Sequence, residues 1–188
     1  VKGEKSLIIN NASCTTNSVA PVMRILMDAF GIEKAGMVTV HGYTATQKLV
    51  DGPDAKDVRR GRAAAVNIVP STTGAAEAVI QSIPELKGKF DAVAVRVPVV
   101  TGSLSILTAI IGGSTSINEV NDLFKKAAQD SRWSKILAVT QDPIVSTDII
   151  GQPYGAIVDL ALTKVVDSNL VNVFSWYDNE AGYTATLV

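Results

Sequence analysis

Ser13-Cys14-Thr15-Thr16-Asn17 holds the only cysteine of a 188-residue chain and stands just before an apolar stretch. Val19, Val22, Met23, Leu26, Met27 and Phe30 follow at helical spacing, and Gly31 closes the run. Upstream, residues 6–10 (Ser-Leu-Ile-Ile-Asn) read as a short buried strand. The thiol therefore falls on a predicted strand-to-helix turn, where the positive end of the helix dipole favours its thiolate form. Pro21 leaves the helix start open. A start at Cys14 places Pro21 in the second turn and removes a hydrogen bond. A start after Asn17 or Ser18 suits the proline but leaves the thiol outside the helix.

Working outward, residues 37–41 (Met-Val-Thr-Val-His) look like a strand that ends on His41, the only histidine. From Gly42 to about Val69 no period is evident. A loop of that length in a compact domain is more often functional than idle, and this one carries Lys56, Arg59, Arg60 and Arg62. It reads as a solvated basic stretch, an anion-facing loop or a subunit contact. Thr73-Gly74-Ala75-Ala76 opens a second helix that stops at Pro84. Asp91 to Pro98 is a strand whose alternation sends Val93, Val95 and Val97 one way and Arg96, with Ala92 and Ala94, the other. Residues 103–111 form another strand, and Ser116-Ile117-Asn118-Glu119 is a capping box opening a helix through Ala128. Short strands are expected near 136–140 and 144–150, and residues 156–166 and 170–177 form a hairpin across Asp167-Ser168-Asn169. This order predicts an α+β fold: a mixed, largely antiparallel sheet covered by helices, in one domain spanning 1–188.

Composition narrows the function. Hydrophobic residues make up 47% and charged residues 19%, which indicates a compact chain with a sizeable core. A net charge of −1 gives no basic field for nucleic acid or an anionic membrane. No apolar run is long enough to span a bilayer, and Val1-Lys2-Gly3-Glu4-Lys5 does not read as a signal peptide. One cysteine forms no internal disulfide, which fits a cytoplasmic location. One Cys and one His make no metal cluster, so none is expected. No G-x-G-x-x-G occurs, so this stretch builds no Rossmann fingerprint.

Cys14 reads either as a nucleophile or as a small buried hydrophobe. His41 reads either as its base or as a hydrogen-bonded core residue. The pairing of the sole Cys with the sole His, each at the end of a predicted element, raises the dyad. Thr73 is either a phosphate contact at a helix N-terminus or an ordinary cap. Arg96 is either surface charge or a phosphate fork in a cleft.

Taken in order, Ser13-Cys14-Thr15-Thr16-Asn17, His41 with Tyr43-Thr44, Arg59-Arg60, Ser71-Thr72-Thr73-Gly74-Ala75-Ala76, Arg96-Val97-Pro98 and Ser175-Trp176-Tyr177-Asp178-Asn179-Glu180 resemble the catalytic domain of phosphorylating glyceraldehyde-3-phosphate dehydrogenases. The resemblance covers nearly the whole chain. It implies that Cys14 attacks the aldehyde and that His41 lowers the thiol pKa and serves as base. It implies that Thr44 and Arg96 hold the substrate phosphate, that Ser13, Thr15, Thr73 and Gly74 hold the attacking phosphate, and that Arg60 is a further substrate- or phosphate-binding residue. Asn179 and Tyr183 would meet the nicotinamide of NAD, with NADP not excluded; Asp51-Gly52-Pro53 resembles the NAD-preferring members. The loop from Gly42 to about Val66 would resemble an S-shaped loop at the core of a homotetramer, and the helix would start at the cysteine with Pro21 inside. Residues 1–12 and 181–188 resemble edges of an N-terminal NAD-binding domain.

Two departures stand out. The family often has a second cysteine where this chain has Ser18. It usually reads Thr-x-Asn-Val-Ser where this chain has Val99-Val100-Thr101-Gly102-Ser103. Erythrose-4-phosphate dehydrogenase, which uses water in the second step, is the nearest alternative. A Cys–His hydrolase and a non-catalytic assembly module are alternatives of other classes.

Overall fold

Ser13 decides where the first helix begins. Its side chain accepts from the Thr16 N–H at 3.1 Å and its carbonyl accepts from Asn17 N at 2.9 Å, so helix α1 (Cys14–Phe30) starts on the cysteine. A cap of this kind contributes about 1 kcal/mol. Pro21 lies inside α1 and has no N–H to give the Asn17 carbonyl. The backbone of Gly155 is seated against that carbonyl; a Cβ at position 155 would lie 3.1 Å from it.

The structure is a computed structural model and describes residues 10–188. After α1 come strand β1 (Ile32–Gly42), a long irregular segment with one 3-10 turn (Val58–Gly61), β2 (Val69–Thr72), helix α2 (Ala75–Ser82), β3 (Phe90–Val97) and β4 (Ser103–Ile111). Helix α3 (Ile117–Gln129), β5 (Leu137–Thr140), β6 (Ala156–Asp159), β7 (Lys164–Val166), β8 (Leu170–Tyr177) and a short helix α4 (Ala181–Ala185) complete the chain. The sheet runs β2-β3-β1-β4-β8-β6-β5, with β7 pairing with β8 off this path. β1–β3 and β5–β6 are parallel and the remaining pairs antiparallel, so the mixed, mostly antiparallel α+β architecture expected from the sequence is the one observed.

Register explains where a site can form. Met37, Leu107 and Val173 share one row across β1, β4 and β8. The next row toward the C-terminal end of β1 is Thr39, Ser105 and Ser175, and the last is His41, Ser103 and Tyr177. All nine are buried, and α1 packs on these strands. The covered face thus passes from hydrocarbon to hydroxyl to titratable groups as it nears Cys14. The hydrocarbon end holds the core with Val22, Met23, Leu26, Val79, Leu86 and Phe124. Truncating Leu107 to alanine there costs about 2–5 kcal/mol. The opposite face leaves Val38 and Val93 exposed.

Several local expectations change. β1 is longer than residues 37–41 and runs from Ile32. The expected strand at 144–150 is a run of turns. Asp148 accepts from Val145 N at 2.7 Å, and backbone bonds from Asp148 N to Val145 O and Ile150 N to Thr147 O close the chain on itself. The single strand expected over 156–166 is two, because Asp159 turns the chain. Its carboxylate accepts from Trp176 Nε1 at 3.0 Å and from Ala161 N at 3.1 Å. The hairpin turn itself holds, with Asp167 and Ser168 at φ 47° and 57°. β2 has no counterpart in the sequence reading; it carries Pro70, whose missing N–H costs little on an edge strand. The Ser116–Glu119 capping box forms in both directions. The strand read over 6–10 falls outside the described residues except for Asn10, which lies in no strand.

Candidate active site at the start of α1

Cys14, the first residue of α1, and His41, near the end of β1, meet with Sγ and Nε2 3.5 Å apart. His41 is 2% exposed and Cys14 is partly buried. Burial pushes the Cys14 thiol up. The Thr15 hydroxyl, the backbone N–H groups of Thr15 and Cys14, and the charge of Arg96 all pull the other way without overcoming it. Burial, reinforced by Arg96, pushes His41 down to about 4, against the pull of the Gly42 carbonyl. Burial thus opposes the pull of the helix N-terminus on the thiol.

Register places Arg96 directly beside His41, since the two are partners in the parallel β1–β3 pair. Its Nη1 lies 2.7 Å from His41 Nδ1 and donates to the Gly42 carbonyl at 3.1 Å. His41 Nδ1 is itself 2.6 Å from that carbonyl. Arg60 stands behind. It donates from Nε to Ser71 Oγ at 3.0 Å, and its positive charge repels that of Arg96. Arg96 is thus the guanidinium nearest the pair, with Arg60, which also faces Asp57 at 3.7 Å, beyond it.

The other expected contacts are less tightly gathered. Ser13 is the cap of α1, and its hydroxyl lies 2.7 Å from that of Thr16. Thr15 is buried and bonds Tyr177. Thr73 accepts from Ala75 N at 3.2 Å, and Gly74 is the cap of α2. Thr44 lies beyond the end of β1 with its hydroxyl 3.1 Å from that of Thr46. Among the described residues no hydrogen bond joins Thr44 to Arg96 or to the Cys14–His41 pair.

Asn179 follows β8. Its Oδ1 accepts from Gly102 N at 3.0 Å, Ser103 Oγ at 3.2 Å and Thr101 Oγ1 at 3.4 Å. With the oxygen so occupied, the amide nitrogen is the group left to meet a ligand, and it is a donor. That fits a carboxamide oxygen such as a nicotinamide carries. Tyr183 sits in α4, which is tied to the first turn of α1 through Asn17 Nδ2 donating to Thr186 Oγ1 at 2.9 Å.

Sequence reasoning missed Tyr177 as part of the site. It is 1% exposed, its hydroxyl is 2.7 Å from Thr39 Oγ1 and 3.1 Å from Thr15 Oγ1, and its ring meets the His41 ring edge-on at 5.9 Å. Burial pushes its phenol up to about 12, so it acts as a neutral brace. The available signal was the period of two that places Thr39 on the same face as His41. The clamp made by Thr101, Gly102 and Ser103 left no such trace.

A family profile described as the C-terminal domain of glyceraldehyde 3-phosphate dehydrogenase matches residues 13–179. The chain belongs to this family. It is 50% identical to the glyceraldehyde-3-phosphate dehydrogenase of Clostridium pasteurianum over 185 residues, covering 96% of this chain and 54% of the relative. It is 52% identical to that of Mycobacterium leprae over 181 residues (96% and 52%) and 50% identical to that of Streptococcus pyogenes (96% and 54%). The chain spans about half the length of the curated relatives it matches. Membership makes the order Cys14, His41, Arg96, Asn179 the order of one domain rather than an accident of spacing. Among the described residues no helix is long and apolar enough to cross a membrane, and no three His, Cys, Asp or Glu side chains cluster as a metal site.

Proposed function

We propose that this chain is the catalytic domain of a phosphorylating glyceraldehyde-3-phosphate dehydrogenase, which converts the aldehyde, NAD and phosphate to an acyl phosphate. The observation that carries this reading is the meeting of Cys14 and His41 beside Arg96 at the start of α1, where the Cys14 and Thr15 N–H groups act on the sulfur. Cys14 Sγ adds to the aldehyde carbon. The oxygen that gains charge is met by the Cys14 backbone N–H and by His41. His41 Nε2 holds the proton lost from the resulting hydroxyl. When bound, the nicotinamide supplies the hydride acceptor. Asn179 donates to its carboxamide and Tyr183 lies beside its ring. Oxidation leaves a thioester on Sγ, and a phosphate oxygen attacks its carbonyl carbon and expels the thiolate. Arg96, Arg60 and Thr44 hold the substrate phosphate; Ser13, Thr15, Thr73 and Gly74 hold the attacking one. Remote binding energy at these seats positions the reacting carbon.

In this reading the family's length implies a partner domain that supplies most of the cofactor site, with residues 1–12 and 181–188 at its edge. The exposed valine face and the 42–66 loop then contribute to a homotetramer, and the enzyme is cytoplasmic. The test is aldehyde-dependent NAD reduction by the full-length protein with and without inorganic phosphate. Turnover that requires phosphate and is lost in Cys14→Ser supports the reading. Turnover unchanged without phosphate points instead to the water-using erythrose-4-phosphate reaction, and ester or peptide cleavage without nicotinamide to a hydrolase.

A further inference from the structure

Thr186 stands at the end of α4, and its hydroxyl is fully engaged. A threonine hydroxyl has one hydrogen and two lone pairs. The hydrogen goes to the Tyr183 carbonyl at 2.7 Å, and the lone pairs accept from Asn11 Nδ2 and Asn17 Nδ2, each at 2.9 Å. The Tyr183 carbonyl only accepts, so the single hydrogen is committed there and both asparagines must present nitrogen. Asn11 precedes Cys14 by three residues and Asn17 follows it by three. One oxygen thus brackets the thiol-bearing turn from both sides. α4 is itself fixed. Asp178 Oδ1 accepts from Glu180 N at 2.8 Å and from Ala181 N at 3.0 Å, and the buried Gly182 backbone lies against the Tyr154 carbonyl.

We propose that Thr186 is a positioning residue for Cys14, holding the chain that enters α1 so that Sγ stays within reach of His41. The two arms of the bracket are unequal. Asn17 lies within α1, whose buried Val19, Val22, Met23 and Leu26 anchor it in the core. Asn11 lies before the helix. The next residue, Ala12, has φ 57°, a left-handed backbone that a residue with a Cβ adopts at a cost. Within the turn, Asn10 Oδ1 accepts from Ala12 N at 2.7 Å and Ser13 caps the helix. Among the described residues, the Asn11–Thr186 bond is the hydrogen bond that ties residues 10–13 to a distant part of the chain. Removing the hydroxyl releases Asn11 and lets Ala12 relax, which shifts the first residue of α1 and with it the 3.5 Å approach of Sγ to Nε2. The titratable groups that face Cys14 are His41 from β1, Arg96 from β3 and Tyr177 from β8. Thr186 carries no charge, so replacing it acts on the thiol through geometry. α4 also carries Tyr183, so the same oxygen joins the thiol to the residue assigned a place beside the nicotinamide ring. The roles of Cys14 and Tyr183 in turnover rest on the dehydrogenase reading; the bracket itself does not.

Thr186→Val keeps the shape of the side chain and removes the oxygen; Thr186→Ser keeps the oxygen. In the full-length protein, Thr186→Val should lower kcat for aldehyde-dependent NAD reduction about tenfold and leave KM for the aldehyde within about twofold, because a small displacement of a reacting group acts on the chemical step. The pH midpoint for alkylation by neutral iodoacetamide, read from the Cys14 peptide, should rise toward the ~8.5 of a free thiol as His41 loses its approach. Thr186→Ser should match the wild type in both measurements. Asn11→Ala should reproduce the valine variant, and the double variant should be no worse than either single, because both changes break the same bond. A lowered thermal midpoint with kcat and alkylation unchanged marks a merely structural contact and overturns the proposal. So does a Thr186→Ser protein as impaired as Thr186→Val, or a double variant whose losses add. A full-length protein that reduces no NAD overturns the dehydrogenase reading, and the alkylation midpoint then decides the role of Thr186 by itself.

Discussion

Two corners of the site handle their polar atoms in opposite ways. At the Asn179 corner, Gly102 N and Ser103 Oγ both donate to Oδ1, while the Thr101 hydroxyl lies 3.4 Å away and nearer Asp178 Oδ1 at 3.2 Å, and the side chain is held with its nitrogen outward. At the His41 corner, Nδ1 has a donor and an acceptor that want different things. A buried group satisfied from all sides is fixed; one placed between a donor and an acceptor leaves one of them unmatched. The first corner suits a ligand that must be held in a fixed pose. The second suits a proton that must move.

The largest effect follows from removing the contested atom. His41→Asn deletes the base and should lower kcat/KM of the full-length protein by roughly 10²–10⁴-fold, as expected for a general acid–base. A variant that kept wild-type kcat/KM would remove His41 as the base, and the contrast between the corners would fail.

The two corners should also separate on the pH axis. The unfolded chain takes up a proton at His41 near 6.5, the folded chain only near 4. Between those values the unfolded state binds more protons, so stability falls as pH falls through this window and the loss is complete below it. A displacement of that size corresponds to at most about 3 kcal/mol. Asp178, beside Asn179, is opposed by burial but held below the ordinary carboxylate range by donors from Gly151, Glu180, Ala181 and Thr101. Its contribution persists above 3.8 and is lost only as pH falls further. Urea unfolding between pH 7 and pH 4.5 should show a loss that His41→Asn removes. An equal slope in both proteins would remove His41 as its cause.

Gly102→Ala attacks the locked corner through its backbone. Gly102 has φ +95°, and a Cβ there would lie 2.7 Å from the Ser146 carbonyl. The strain should cost about 1–3 kcal/mol. It should also move the N–H that Asn179 uses, so the thermal midpoint falls and KM for the cofactor rises. A drop in the midpoint with unchanged KM would detach the clamp from the cofactor.

What the sequence revealed depended on range. The α1 stripe, the Ser116 box and the Asp167-Ser168 turn rest on neighbours a few positions apart, and all three form where expected. The Cys14–His41 pairing was legible because each type occurs once and each stood at an element end. The Arg96–His41 contact needed the register of two strands whose pairing is parallel and whose connection runs through the long irregular segment, β2 and α2; no local pattern carries that. The run at 144–150 looked like a strand because its apolar residues suit one. Asp148 outweighed them by offering the backbone a closer acceptor. Thr101, Gly102 and Ser103 were read as a departure from the family pattern, and their role emerged only once Asn179 lay against them.

The smallest effect is the most discriminating test of that role. Ser103→Ala removes one of two firm donors to Asn179 Oδ1, and Gly102 N remains, with the Thr101 hydroxyl shared between Asn179 and Asp178. One neutral hydrogen bond contributes about 1 kcal/mol net, so the thermal midpoint should drop only slightly. Ser103 Oγ also lies 3.4 Å from Gly42 N, too long to anchor β1 strongly. If the clamp serves to keep the amide nitrogen outward, its partial loss lets the amide rotate. Cofactor KM should then rise several-fold while kcat and the pH profile of Cys14 alkylation stay put. A change in kcat with constant KM would mean that Ser103 acts through the row it shares with His41 and Tyr177. In that event the two corners are one unit, and the satisfied oxygen at one end helps set the balance of the contested nitrogen at the other.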